Sequence, residues 1–188
     1  DLVRPLAQRL EEQVEAIRTG TRRGSVREEK DGLHAAWEGE TSGEGVFNKM
    51  MLSVGRKPYT EGLGLERARV SCDEGGWIET DGQRRTAEPS LFAVGDAAGE
   101  PMLAHKASYE ARVAVEAAAG RKTVYEPNAV PFVVFSDPAV AWCGWTERAA
   151  EDAGRAVRVV RFPWAASGRA MTLARRDAMG FRMLLGRQ

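Results

Sequence analysis

The sequence is short of cysteine, of lysine and of long apolar runs, and each shortage excludes something. Only two of 188 residues are cysteine, Cys72 and Cys143, 71 positions apart. That excludes a disulfide-stapled scaffold, and both are expected as unpaired thiols in a reducing, cytoplasmic compartment. No run reaches the eighteen or so apolar residues of a membrane-spanning helix, and no basic-then-apolar leader opens the chain. Neither a membrane nor export is expected. Positive and negative side chains cancel to a net charge of zero, which removes any global electrostatic case for a nucleic-acid partner. Lysine is scarce, with five against 22 arginines, and nine arginines face four acidic residues between Thr146 and Gln188. Without clustered aromatics or a nucleic-acid module, that stretch reads as solvated surface. His34 sits on an expected strand with no Cys, Asp or second His at ligand spacing, so no metal is expected.

What is present is the balance of a globular protein: 43% hydrophobic and 29% charged residues. The length suits one domain or parts of two. Leu2, Leu6, Leu10, Val14 and Ile17 recur at three- and four-residue spacing, which predicts an amphipathic helix over residues 1–18. Gly24–Val26 and Leu33–Gly39 flank the turn-prone Lys30-Asp31-Gly32 and predict a hairpin. The apolar run from Val46 to Gly55 predicts a strand buried on both faces. So does Ser90–Asp96, with a shorter strand near Trp77–Thr80.

Between Met102 and Ala119 the alanines 104, 107, 111, 114 and 118 predict a helix with one methyl-lined face that packs closely, stopped by Gly120. Beyond Pro127 the pattern predicts strands at Val130–Phe135 and Val140–Trp145. A helix capped by Thr146 then runs to Ala153, followed by strands at Val157–Pro163 and Met179–Leu185. Asp1 in place of an initiator Met, and a closing strand at Met179–Leu185 that reads as a hairpin strand without its partner before Gln188, suggest that the chain is an internal piece of a longer protein.

Two blocks resemble a known family. They are Met51-Leu52-Ser53-Val54-Gly55-Arg56-Lys57-Pro58 and Thr86 through Lys106, which contains Leu91-Phe92-Ala93-Val94-Gly95-Asp96-Ala97 and Met102-Leu103-Ala104-His105-Lys106. Both are similar to the two-dinucleotide flavoprotein disulfide reductases. Met102–Lys106, Pro138–Trp142 and Phe162–Ala170 look most like the dihydrolipoamide dehydrogenases of that family. The resemblance spans essentially the whole chain. It implies an α/β fold: the end of an NAD domain (1–57), the returning half of an FAD domain (58–127) and the start of an α+β dimerisation domain (128–188). It further implies a homodimer that oxidises dihydrolipoamide on a lipoyl-bearing protein of a 2-oxo acid dehydrogenase complex, passing electrons through FAD to NAD.

By the same resemblance, the flavin-binding Gly-x-Gly-x-x-Gly loop and the redox cysteine pair belong upstream of residue 1, and the His-Glu pair belongs beyond Gln188. No catalytic residue is therefore assigned within the chain. The family's usual Arg-Pro-Asn is here Lys57-Pro58-Tyr59, which puts the contact at Tyr59 in doubt. Two alternatives stay open: a sister reductase of the glutathione or mercuric type, and a truncated binding or dimerisation module.

The cofactor residues follow from position and resemblance together. Asp96 ends an expected strand where open α/β sheets bind nucleotides, and a carboxylate there accepts hydrogen bonds from sugar-like hydroxyls. On position alone it is equally a turn aspartate. The resemblance implies that it meets the ribityl chain of FAD. It also implies that Met102, Leu103, Ala104 and His105 line the isoalloxazine, where unpaired helix-start amides favour negative charge. Ser53, Val54, Gly55 and Arg56, with Arg23 through its backbone, are expected along the NAD site. Glycine at position 55 permits close approach of a ligand. Trp142, Trp145 and Trp164 fit an aromatic core or interface. Cys72 and Cys143 are expected as core or incidental thiols. The 188 residues alone are predicted to show no lipoamide reductase activity. The check is NADH oxidation with lipoamide and added FAD, and turnover that tracks the purified chain contradicts the prediction.

Overall fold

Pairing between neighbouring segments accounts for most of the regular structure in the computed structural model, which describes residues 3–163, 166–168, 172 and 180–186. The chain divides into two compact units. One comprises Asp1–Val54, Val133–Ala141 and Trp145–Gln188, the other Gly55–Phe132 and Trp142–Gly144.

In the first unit, helix α1 (Arg4–Glu11) starts with a proline in its first turn and buries no residue. The expected helix to residue 18 is therefore too long: Val14 and Ile17 lie beyond it, 44% and 46% exposed. An apolar stripe sustains a short helix only where something covers it, and α1 is uncovered.

Strands β1 (Thr21–Glu29), β2 (Gly32–Gly39) and β3 (Gly43–Phe47) form an antiparallel meander. The β1–β2 ladder runs from Glu29↔Gly32 to Thr21↔Gly39, and a bulge sets Gly24 and Ser25 against Ala36. Gly32 has φ +143, and a Cβ there would lie 2.9 Å from the Phe47 carbonyl oxygen, so only glycine fits between the turn and β3. Ala35 is the buried point of this sheet, and the Arg18 guanidinium lies 4.4 Å from the Trp37 ring centroid.

The expected buried strand over Val46–Gly55 is not formed. β3 ends at Phe47, and Met51, Leu52 and Val54 are 88%, 62% and 93% exposed. Burial of such a run requires strands on both sides, and no described segment pairs with residues 48–55.

The C-terminal part of the chain follows its predicted order. β4 (Pro131–Val134) pairs with β5 (Val140–Cys143), and the Phe132 and Trp142 rings stack at 4.9 Å and 6°. In α3 (Glu147–Asp152) the cap is the predicted one: Thr146 Oγ1 accepts from the Ala149 amide at 3.1 Å. β6 (Val157–Pro163) pairs antiparallel with β7 (Gly180–Gly186), from Val157↔Gly186 to Pro163↔Gly180, which corrects the reading of the closing strand as one without a partner in the chain. Trp145 is half exposed beneath the Arg155 guanidinium, so it is not a core residue of this chain. Trp164 lies outside the described residues.

The second unit is built from turns around a small core of Val70, Ile78 and Ala93, flanked by Leu65, Ala68, Ala97 and Ala98. Asp73 Oδ1 accepts from the Gly75 and Trp77 amides, and Asp81 Oδ1 from those of Gln83 and Arg85. These are Asx turns, where a side chain stands in for a backbone acceptor. The strands expected at Trp77–Thr80 and Ser90–Asp96 reduce to the single bridges Cys72↔Ile78 and Arg85↔Phe92. The reason lies in the chain direction: Gly95, at φ +75, turns the backbone into a short 3-10 segment (Gly95–Ala97) before a ladder can extend. The long helix α2 (Ala104–Ala118) completes the unit.

At the tip of β1–β2, the tight turn folds Asp31 back onto His34. His34 Nε2 lies 2.8 Å from Asp31 Oδ1 and 3.8 Å from Glu29 Oε2. This corrects the reading that no carboxylate stands at ligand spacing from His34, since donor atoms of all three residues fall within 4.8 Å of one another. The hydrogen bond to Asp31 and the nearby Glu29 charge raise the His34 pKa, and the same hydrogen bond lowers that of Asp31.

Because the folded His34 pKa is raised, its contribution to stability is complete below about pH 6.5, the ordinary imidazole value. That contribution is lost as pH rises through the raised value. Asp31, with a lowered pKa, contributes above about pH 3.8 and loses that contribution on acidification. An NMR titration of the imidazole Cε1–H is predicted to give a midpoint above that of a free histidine, moving back toward it in Asp31→Asn and in high salt. A wild-type midpoint at or below the free value contradicts the pairing.

Candidate functional site

Three sequence-predicted residues meet in the second unit. The Arg56 guanidinium donates through Nη1 to Asp96 Oδ2 at 3.2 Å and through Nη2 to the Met102 carbonyl. Asp96 is placed by the turn that Gly95 opens, and Met102 lies just before α2, so one arginine ties the turn to the helix start. Both members of the ion pair are about half exposed, Arg56 at 63% and Asp96 at 47%. The pair is accordingly weak as a stabilising contact but well placed to face a ligand. Asp96 Oδ1 takes part in no described hydrogen bond.

Leu103, in extended conformation, is the N-cap residue, and its side chain caps nothing. The first amides of α2 therefore keep unpaired donors and the positive end of the helix dipole beside Asp96. Ala104 and His105 occupy the first turn and are exposed. His105 Nε2–H donates to the Pro131 carbonyl at 2.7 Å, which fixes its ring against the start of β4. Gly99 has φ +121, and a Cβ built there would meet nothing within 4 Å. The backbone at Gly99 thus borders open space.

Ser53, Val54 and Arg23 belong to the other unit. Arg23 sits exposed on β1 opposite Trp37, and Ser53 and Val54 are exposed and outside any strand. Gly55, where the second unit begins, has φ +128 with nothing within 4 Å of a built Cβ. Both cysteines are free and exposed, which corrects the core alternative for them.

The sequence reading missed the network behind the site. Glu110 is fully buried: Oε2 accepts from the Gly95 amide at 2.7 Å and from Lys106 Nζ at 3.1 Å, and Oε1 accepts from Arg84 Nη1 at 3.2 Å. Lys106, 4% exposed, spends its other two donors on the carbonyls of Gly95 and Gly99, at 3.1 and 2.9 Å. The buried face of α2 is therefore Lys106, Glu110, Val113, Ala114 and Ala117, whereas Ala104 and Ala118 of the expected methyl stripe are exposed. The polar groups of the Gly95–Gly99 turn need partners and draw that face inward. The signal was present as a Lys-Glu pair four apart, continued by Val113 and Ala117 at helical spacing.

With this geometry in hand, two family sequence models match. Residues 3–111 fit "Pyridine nucleotide-disulphide oxidoreductase", and residues 130–186 fit "Pyridine nucleotide-disulphide oxidoreductase, dimerisation domain". The chain belongs to the pyridine nucleotide-disulphide oxidoreductase family. Curated relatives include dihydrolipoyl dehydrogenases. That of Thermus scotoductus is 44% identical over 171 residues, covering 89% of this chain and 37% of the relative. The Geobacillus stearothermophilus enzyme is 42% identical over 177 residues, covering 93% and 37%. The chain thus spans less than two-fifths of the length of these relatives.

The HOCl-induced flavoprotein disulfide reductase RclA of Escherichia coli shares the fold with a TM-score of 0.83 at 22% identity. The match covers 99% of this chain and 42% of that one. LpdA of Mycobacterium tuberculosis shares it at 0.81 and 24% identity, covering 97% and 39%. The architecture is accordingly a partial flavoprotein disulfide reductase fold followed by the start of a dimerisation domain. No helix among the described residues is long and apolar enough to cross a membrane.

Proposed function

We propose that this chain supplies part of the FAD and NAD sites, and part of the dimer interface, of a dihydrolipoyl dehydrogenase. The observation that carries the reading is the convergence of Asp96, Arg56 and the start of α2 on one exposed edge. The donor set fits a flavin. A half-exposed carboxylate suits polyol hydroxyls, and the Met102–His105 segment offers apolar side chains and unpaired amides to a flat ring whose reduced form is negative. When bound, FAD supplies two-electron transfer between a dithiol and NAD. Within this chain, Asp96 binds the ribityl chain, Arg56 orients Asp96, and Met102, Leu103, Ala104 and His105 line the isoalloxazine. Ser53, Val54, Gly55 and Arg56, with Arg23, border the NAD site.

The domain assignment is 1–57 to NAD binding, 58–127 to FAD binding and 128–188 to dimerisation. The whole protein is then a cytoplasmic homodimer whose substrate is a lipoyl group carried on a 2-oxo acid dehydrogenase complex. Identity above 40% to two dihydrolipoyl dehydrogenases supports this substrate class over other disulfide reductases.

Asp96→Ala in the full-length protein removes hydrogen bonds to a charged acceptor, each worth about 1.5–3 kcal/mol. FAD affinity is predicted to fall about ten- to hundredfold per bond lost, whereas Asp152→Ala, on the exposed face of α3, leaves it unchanged. Flavin absorbance per polypeptide after dialysis reads the difference. Equal retention in the two variants rejects the flavin role of Asp96.

A further inference from the structure

Behind the Asp96 turn lies a charge cluster that reaches no ligand. Glu110 is 0% exposed and Lys106 4%, and between them they bond three backbone polar groups at the two ends of the turn. Glu110 holds the Gly95 amide, and Lys106 bridges the Gly95 and Gly99 carbonyls. Gly95 and Gly99 bracket Asp96 at φ +75 and +121. Within the turn the Ala98 amide donates to the Gly95 carbonyl at 3.0 Å, and the Ala97 carbonyl accepts from the Ile78 amide at 2.8 Å. Neither bond reaches the Gly95 amide or the Gly99 carbonyl, and the described strand pairing ahead of the turn stops at the Arg85↔Phe92 bridge. The two glycine ends are therefore fixed from behind, while in front the Asp96 side chain meets the exposed Arg56 guanidinium.

We propose that Lys106 and Glu110 are positioning residues that clamp the two glycine ends of the 95–99 turn and thereby aim the Asp96 carboxylate at the flavin; this rests on the flavin reading of Asp96. Stability gives no sufficient reason for the pair, because apolar residues of similar volume serve a buried position as well or better. A methyl-bearing core there would leave the Gly95 amide and the Gly99 carbonyl without these partners, at the cost of a defined turn. Arg84 completes the arrangement: its guanidinium pairs with the outer Glu110 oxygen and stacks at 4.7 Å on Tyr125, keeping the carboxylate's rotamer fixed without touching the turn.

The test uses the full-length protein, stripped of flavin and reconstituted with FAD, as wild type, Lys106→Met/Glu110→Leu and the near-isosteric Glu110→Gln. Three quantities are read: FAD Kd from fluorescence titration, deuterium uptake over residues 95–99 in the apo form, and apo melting temperature. The double variant is expected to bind FAD at least tenfold more weakly, with faster exchange at 95–99 and a lower melting temperature, since Arg84 and the Gly95 amide lose their acceptor. Glu110→Gln, which keeps an acceptor for the Gly95 amide but loses the charge, is expected to show a smaller loss in the same direction. It decides the question should the double variant fail to fold. FAD binding within twofold of wild type in the variant that folds overturns the positioning role, as does weakened binding with unchanged exchange at 95–99. A wild-type protein that takes up no FAD overturns the flavin reading and this inference with it, whereas loss confined to the variants separates the two.

Discussion

The second unit depends on one buried carboxylate. Glu110 lies out of reach of water and takes three donors from three parts of the chain: a backbone amide on the Gly95 turn, an ammonium one helical turn back and a guanidinium from the loop at Arg84. Moving a carboxylate from water into the interior costs several kcal/mol, recovered only when charges and hydrogen bonds meet it in good geometry. Here they do, at 2.7 to 3.2 Å. Loss of the Glu110 carboxylate would leave the buried Lys106 ammonium without its counter-charge, an effect of about 3–5 kcal/mol. So the turn, the helix and the Arg84 loop are committed to one another. That coupling replaces the ladder that a longer strand would have provided.

Arginine does comparable work elsewhere, and this gives the scarcity of lysine a structural meaning. Arg85 donates to the Pro89 carbonyl at 2.9 Å and to the Ala117 carbonyl at 2.7 Å, while its guanidinium lies over Phe92. Ala117 is in the last turn of α2, where a cation is favoured, and its carbonyl accepts from the Gly120 amide at 3.0 Å as well as from Arg85. Arg84 likewise combines an ion pair with a ring face. A planar fork can bond in its plane and stack on its face at once, which a lysine ammonium cannot do. Lys106 is the exception that fits the same logic. Three acceptors surround its Nζ, and a compact group with three donors suits that pocket better than a fork.

The parts legible in the sequence are those whose causes are local. The β1–β2 hairpin, the Thr146 cap and the extent of α2 follow from turn residues, a capping side chain and a run of mostly helix-favouring residues. The strands expected at Val46–Gly55 and Ser90–Asp96 are another matter. An apolar run records that a segment suits burial, but a ladder also needs neighbours: no described segment pairs with residues 48–55, and Ser90–Asp96 reaches the core through Ala93 with a single described bridge before Gly95 turns the chain. The face of α2 differs from its expected one for a related reason. Alanine spacing shows which positions tolerate close approach, and Ala107 does sit 3.1 Å from where a Gly95 side chain would begin. Yet the inward orientation is decided by which residues can satisfy the turn's amide and carbonyls, and only Lys106 and Glu110 can. As for the site, Asp96, Met102 and Arg56 come from two separate motifs, and the structure brings these three together. Nothing in either motif named the clamp behind them.

The front and back of the Asp96 turn are held by interactions of opposite character. Arg56 reaches Asp96 across solvent-exposed surface, where an ion pair contributes little and weakens with salt. Lys106 and Glu110 act from a dry interior, where the same charges are screened much less. A ligand approaching the edge can therefore displace or rearrange the Arg56 contact at small cost, freeing the carboxylate to accept from incoming hydroxyls. The turn itself cannot follow without breaking the buried set. The expected outcome of that asymmetry is a carboxylate whose partner is exchangeable while its position is not. This is the condition under which a hydrogen-bonding group discriminates between ligands by geometry and not by charge alone.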